Sequence, residues 1–353
     1  MTDAGTIDWR PSASRARLAQ RAELLAATRD FFGERRLLEV ETPMLVGAAV
    51  TDTHLESVPA RVGTRTMHLH TSPEYAMKRL LAAGSGDIWQ LCRVARGDER
   101  SRLHNPEFTL LEWYRCGWSM AQLIDEVAAL LDALCLRAGA ARRPLVVRRY
   151  ADAFREMFGV DPLTASDAAL GALARDAGLE NGTAGHSGVT EPARTTPTRD
   201  ELLDFLVGAK LGPTLGRGEW LALTHWPGSQ AALARLDTDD PRTALRFEVY
   251  ADGIELANGF EELADPREQT ARFAADNAAR RRRGLPQHAP DERLLAALAA
   301  GLPPCSGSIR SPLPMRRLRR WRARPGSRGP AAALTTPARR RATSCWIFWS
   351  ARS

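Results

Sequence analysis

Thr71-Ser72-Pro73-Glu74-Tyr75-Ala76-Met77-Lys78-Arg79, answered further along by Arg102-Leu103-His104-Asn105-Pro106-Glu107-Phe108, is the stretch on which the fold of this chain turns. Ser72 is a good helix cap, Pro73 suits the first turn, and Glu74 puts an early carboxylate at the positive end of the helix dipole. A helix through Leu81 is therefore expected. Residues 67 to 71 read as a strand leading into it, and His68 and His70 alternate with Leu69 as structural strand histidines would. Ile88 to Val94 and Glu107 to Tyr114 are two further strand-like runs on either side of the charged segment Arg96 to Asn105. That pattern predicts an antiparallel hairpin with a long polar tip.

Working outward, residues 15 to 37 carry apolar positions at helical spacing, and Leu38 to Pro43 read as a strand stopped by proline. Ser119 to Leu136 predicts a helix, and Asn181 to Asp200, rich in Gly, Thr and Pro, a surface loop. Phe247 to Tyr250 and Ile254 to Ala257 flank the turn signal Ala251-Asp252-Gly253 and predict a second hairpin. Pro266 to Arg283 closes as a basic-ended helix. Few positions call for parallel crossovers, so the expectation is an α+β fold, an antiparallel sheet flanked by helices.

At 353 residues and 44% hydrophobic content the chain can bury a sizeable core, as one large domain or two average ones. No apolar run reaches the roughly 20 residues a membrane helix needs, and the N-terminus lacks a signal peptide's apolar stretch. Cytoplasmic location is expected. Cys92, Cys116, Cys135, Cys305 and Cys345 form no CxxC pair and suit reduced thiols; nothing has zinc-ligand spacing. The net charge is +7, yet residues 308 to 353 hold twelve Arg and no Lys, Asp or Glu, so without them the charge would be −5. The basic balance is thus no argument for a nucleic-acid partner.

Several residues could carry chemistry. Glu255 and Glu262 are seven apart, which places them on opposite faces of a regular strand. A bulge at Asn258-Gly259 would return them to one face, where Mg²⁺ with bound phosphate oxygens could sit between them; a solvated acidic strand end is the plainer alternative. Arg96 on the polar hairpin tip could clamp a phosphate. Phe108 could be core or stack on a purine, and Glu74 could be a ligand or only a dipole-stabilising acid.

The order of these pieces resembles a known family. Leu38-Glu39-Val40-Glu41-Thr42-Pro43 looks like motif 1 of class II aminoacyl-tRNA synthetases, and Cys92-Arg93-Val94-Ala95-Arg96-Gly97-Asp98-Glu99 through Glu112-Trp113-Tyr114 looks like motif 2. Gly253-Ile254-Glu255-Leu256-Ala257-Asn258-Gly259-Phe260 resembles the ATP and metal strand of the lysine class. The likeness runs from about Asp8 to Gly307. Only a short segment precedes motif 1, so an anticodon-binding domain is not expected. Together with Gly284-Leu285-Pro286-Gln287-His288 and Pro304-Cys305-Ser306-Gly307, this is similar to the stand-alone ligases of the family that join (R)-β-lysine to elongation factor P.

The resemblance implies a homodimeric enzyme with ATP and Mg²⁺, taking (R)-β-lysine or lysine as substrate and elongation factor P rather than tRNA as acceptor. Ser72, Pro73 and Glu74 would bind the amino group beside the activated carboxylate, with Tyr114 and Glu262 holding the substrate and its side-chain ammonium. Arg96 would be the catalytic phosphate clamp. Gly97, Asp98, Asn105, Glu255 and Leu256 would line the ATP site, Phe108 would stack on adenine, and Glu255 and Glu262 would hold the metal.

Two departures accompany it. The usual Arg-Asn-Glu of motif 2 is Arg96-Gly97-Asp98, and after Gly307 the glycine-spaced motif 3 with its phosphate-contacting Arg is replaced by Ser308-Ile309-Arg310 and an Arg/Pro/Ala-rich tail. A basic arm, a disordered tail and an out-of-frame product all compete for that tail. With two Lys, Lys78 and Lys210, against 47 Arg, the gene reads as GC-rich, and a shifted frame is the favoured reading. The expected division is a catalytic domain over residues 1–307 and a separate tail over 308–353.

Overall fold

The computed structural model describes residues 9–97, 104–179 and 197–310. In chain order its elements are α1 (Arg15–Glu34), β1 (Leu38–Glu39), β2 (Leu45–Val46), β3 (Pro59–Val62), β4 (Arg65–Leu69), α2 (Glu74–Ala82), β5 (Ile88–Ala95) and β6 (Glu107–Cys116). There follow α3 (Met120–Arg137), β7 (Leu145–Arg149), α4 (Tyr150–Phe158), α5 (Asp167–Asp176), α6 (Arg199–Leu206), β8 (Trp220–Pro227) and β9 (Thr243–Ala251). The last are β10 (Ile254–Glu261), α7 (Pro266–Arg282), α8 (Glu292–Gly301) and β11 (Cys305–Arg310).

Eight strands form one sheet in the order β1-β5-β6-β11-β10-β9-β8-β7, and β2-β4-β3 form a small second sheet. The central pairings are antiparallel, as the two hairpins predict. The sheet's two outer pairings, β1 with β5 and β7 with β8, are parallel, so the sheet is antiparallel-dominated rather than wholly antiparallel. β1 is also shorter than the Leu38 to Pro43 run suggests. The β9–β10 turn has Asp252 at φ 50° and Gly253 at φ 75°, the double left-handed geometry that makes Asp-Gly a hairpin signal. Most of the expected Asn181 to Asp200 loop lies outside the described residues, and its last two residues open α6.

Alternation sends the two faces of the sheet to different cores. On one face α1 and α3 cover Trp89, Leu111, Trp113, Phe247 and Leu256, with Phe32 stacked on Trp89 at 4.9 Å. Buried Glu126 of α3 is compensated there by Trp113 Nε1 at 3.0 Å and by Arg115, which also pairs with Asp87 at 2.9 Å. α3 itself starts at the expected Ser119, which forms a capping box with Gln122. On the other face Met77 and Leu81 of α2 pack with Ile88, Tyr114, Phe273 of α7 and Leu294 and Leu298 of α8. α4, α5 and α6 cover the β8 end.

β11 crosses the boundary expected after Gly307. Ser308 pairs with Trp113 on one side and Gly259 on the other, its Oγ donates to the Asn258 carbonyl at 2.9 Å, and the strand continues through Arg310. Backbone pairing tolerates many side chains, and small Ser308 fits beside Gly259, so the strand outlasts the motif by three residues. Residues 311–353 lie outside the described residues, as does Cys345. The other four cysteines are free, Cys135 and Cys305 buried and Cys92 and Cys116 half-buried. Among the described residues no helix is long and apolar enough to cross a membrane.

Candidate active site

A cleft of about 860 Å³ opens on the α2 and α7 face of the sheet. Its wall includes the start of α2 at Ser72, Pro73 and Glu74, Arg96 at the end of β5, His104, and Glu255, Asn258 and Phe260 of β10. The helix start forms as the sequence predicts, except that Pro73 occupies the cap position and Ser72 Oγ accepts from the Glu74 N–H at 3.4 Å.

Beneath the cleft lies a nest of buried charge. Lys78 Nζ stands 2.7 Å from Glu74 Oε1, one turn back along α2, and 2.7 Å from Glu262 Oε2 at the end of β10. The three side chains are only 1%, 7% and 2% exposed. Burial alone would lower the pKa of Lys78, but Glu262 and Glu74 outweigh it and raise it, so the ammonium stays charged. Glu112 of β6, fully buried, accepts from Tyr114 Oη at 2.7 Å. Its pKa is raised by burial and by the charges of Glu74 and Glu262. Glu262 is pushed up to about 7, chiefly by burial and partly by Glu74, with Lys78 opposing.

Gly307 explains how tightly this nest is closed. A Cβ there would stand 2.5 Å from the Tyr114 ring and 2.6 Å from Glu262 Oε1, so only glycine lets β11 pass. Gly259 is small for the same kind of reason: a Cβ would run into the Phe247 ring and the Gly307 carbonyl.

The second acidic group lies toward the other end. The expected bulge in β10 exists, but it falls between Glu255 and Ala257, with Leu256 as the extra residue, while Asn258 and Gly259 pair regularly with Glu248 and Phe247. It aligns Glu255 with Asn258, Phe260 and Glu262, as expected from one inserted residue. They do not meet, however: at ~3.3 Å per residue the two glutamates are roughly 20 Å apart along the strand. One Mg²⁺, with ligands at about 2.1 Å, cannot touch both. Glu262 is engaged by Lys78 instead, and an acid on the neighbouring strand β9 that shares the cleft wall with Glu255 is Glu248, held by Arg246 at 2.7 Å and by Tyr250 Oη.

The remaining expected residues are placed less uniformly. Arg96 donates from Nε to the Thr71 carbonyl at 3.3 Å and its guanidinium lies 5.1 Å from the Phe108 ring. Phe108 is 3% exposed and packs with Val94 and Leu110, so its ring is a core side chain with Arg96 over it. Leu256 is fully buried in the α3 core, leaving only its backbone for a ligand. The Gly97 N–H donates to the Glu56 carbonyl at 2.8 Å, and Asn105 is half-buried beside His104. Asp98 lies outside the described residues.

Four residues were not singled out from sequence: Lys78, Glu112, Asn258 and Gln269. Lys78 stands one helical turn after Glu74, and Glu112 two residues before Tyr114 on the same strand face, so spacing alone could have flagged both. Asn258 Oδ1 and both amide atoms of Gln269, a residue 1% exposed, make no hydrogen bond among the described residues although both side chains line the cleft. Buried polar atoms of this kind await a partner.

The profile of the class II tRNA synthetases for D, K and N matches residues 2–309. The elongation factor P–(R)-β-lysine ligase of Vibrio cholerae serotype O1 is 48% identical over 306 residues, covering 85% of this chain and 90% of that protein. The ligases of the same name from Avibacterium paragallinarum and Pasteurella multocida are 46% and 45% identical, covering 85% of this chain and 89% and 90% of theirs. The sheet, the cleft and these matches agree: the chain belongs to the class II tRNA synthetase family, D, K and N type, and is a ligase-class enzyme.

Proposed function

We propose that this chain activates (R)-β-lysine, or lysine, with ATP and transfers the aminoacyl group to a lysine side chain of elongation factor P. The observation that carries the reading is the nest of Glu74, Glu112 and Glu262, of which Glu74 lines the cleft and the other two are buried beside it. Buried carboxylates repel one another and resist ionisation unless cations reach them, and a diamino acid brings two. Tyr114 acts here by orienting Glu112. Glu74, which both lines the cleft and belongs to the nest, takes the amino group nearer the carboxylate.

That leaves the substrate carboxylate facing Arg96. Its oxygen attacks the α-phosphorus of ATP, and the bond to pyrophosphate breaks as the acyl adenylate forms. Arg96 neutralises charge gathering on the phosphoryl oxygens. Mg²⁺ arriving with the phosphates needs only one or two carboxylates, and Glu255 with Glu248 fits that demand; it would neutralise the leaving pyrophosphate. The acceptor amine then attacks the acyl carbon and AMP departs. The adenine subsite takes the backbone at Leu256, and Asp98 is assigned to it by the family resemblance alone. β1, an edge strand whose Leu38 is 56% exposed, suits the homodimer interface of the family.

ATP–pyrophosphate exchange tests the reading. It should depend on lysine or (R)-β-lysine and be absent with norleucine, which lacks the second ammonium; equal exchange with norleucine would refute it. Because motif 3 is replaced after Gly307, this chain as written should exchange poorly. A version with the frame restored there should gain on the order of 10²-fold, by analogy with the loss of one preorganised charge. Equal rates would mean the tail substitutes for motif 3.

A further inference from the structure

We propose that Lys78 is a resident counter-ion that sets the charge of the substrate pocket, so that the nest accepts two ammonium groups and not three. The idea rests on the diamino-acid reading above and adds a positioning residue to it. Three carboxylates surround the site, Glu74 from α2, Glu112 from β6 and Glu262 after β10, and one ammonium is built in. With all three carboxylates ionised, the state that bound cations favour, the balance is two negative charges, the number of ammonium groups that lysine and β-lysine each carry.

Geometry makes Lys78 more than a neutralising charge. Its Nζ is 2.7 Å from Glu74 and 2.7 Å from Glu262, and so ties the first turn of α2 to the strand end across the closed side of the cleft. The lysine side chain is 1% exposed. Glu74 lines the cleft, whereas Lys78, Glu112 and Glu262 lie buried off its wall. Lys78 therefore pairs with Glu74 on its buried side and leaves the cleft side of Glu74 to the substrate. The other titratable groups facing the nest, Tyr114 of β6, Cys305 of β11 and Cys92 of β5, are raised in pKa by burial and by these same carboxylates. They remain neutral and add no further negative charge to the nest.

The opposite role would have Lys78 occupy the very place of the substrate ammonium and be displaced by it. The two predict opposite signs. As a backing counter-ion, Lys78→Met leaves Glu74 and Glu262 facing each other unpaired, so one takes up a proton and lysine binding weakens by at least about tenfold at pH 7. Affinity should then recover as pH rises, with its midpoint moved up by about one unit or more relative to the unsubstituted chain. Lys78→Arg, which keeps the charge, should hold the original midpoint even if affinity falls.

The experiment is calorimetric titration of the full chain and both variants with lysine from pH 6 to 9, with circular dichroism of each. Tighter binding by Lys78→Met would overturn the proposal in favour of displacement. An unchanged affinity and midpoint would overturn it outright while sparing the functional reading. No binding of lysine or β-lysine by the unsubstituted chain would sink both. If Lys78→Met does not fold, the Lys78→Arg midpoint decides: a retained midpoint supports the counter-ion role, and a shifted one contradicts it.

Discussion

In the nest, Lys78, Glu74 and Glu262 are each less than a tenth exposed and form two buried ion pairs. At the other end Arg96 is half-buried, Glu255 is half-buried on the wall, and Glu248 already serves Arg246 and Tyr250. The contrast follows from what each end receives. A small ammonium must be recognised in low dielectric, where an unpaired charge is expensive, so its partners are fixed in advance by packing. Triphosphate carries its own charge and metal, so that end can present groups just past the end of β5 and on a strand rim. Disrupting the nest should therefore cost binding and folding, whereas disrupting the phosphate end should cost rate.

Glu262→Gln is expected to have the largest effect. It removes one partner of a buried pair, which costs about 3–5 kcal/mol in comparable sites, so lysine-dependent exchange should fall by on the order of 10²-fold or more. Unchanged exchange would remove Glu262 from the nest's function. Arg96→Ala should come next, lowering kcat by roughly 10²-fold with the lysine KM little altered, since only the transition state gathers charge there. A KM effect larger than the kcat effect would erase the distinction between the two ends. Both are read in the same exchange assay on the frame-restored protein.

Gly307→Ala should destabilise by about 1–3 kcal/mol, because a methyl has to displace the Tyr114 ring or the Glu262 carboxylate. Thermal unfolding checks it, and an unchanged Tm would mean β11 is looser than its pairing indicates. Smallest is a pH effect. Glu262 is raised from its ordinary 4.5 to about 7, so the folded protein binds the extra proton between those values and loses stability as pH rises through that window. Lysine favours the ionised carboxylate, so the Tm increment it gives should be larger at pH 8 than at pH 5. Equal increments would indicate that Glu262 does not titrate against the ligand.

Much of this was legible in the sequence, and the exceptions have physical causes. Both hairpins could be read because their turns and alternation are local signals; the parallel edge pairings of β1 and β7 could not, since they join segments distant in sequence. The bulge was predicted from a glycine, yet Gly259 is small to admit Phe247, and the extra residue is Leu256, which carries no turn signal. Pairing Glu255 with Glu262 respected the face of the strand and ignored its length. Lys78 was read only as part of a motif, because a lysine on a short helix is ordinarily solvated; its burial follows from Glu262, which is 184 residues away in the chain yet 2.7 Å away in space. Phe108 shows the reverse, a residue whose core role the sequence offered as an alternative and the packing with Val94 and Leu110 realises.

The central claim, that the cleft delivers a diamino acid to a protein rather than to tRNA, has a direct measurement. The frame-restored enzyme would be given ATP, labelled (R)-β-lysine, elongation factor P and bulk tRNA in one reaction, and the label followed into each macromolecule. The account predicts acid-stable label on a lysine of elongation factor P and none above background on tRNA. Comparable or faster labelling of tRNA would contradict it.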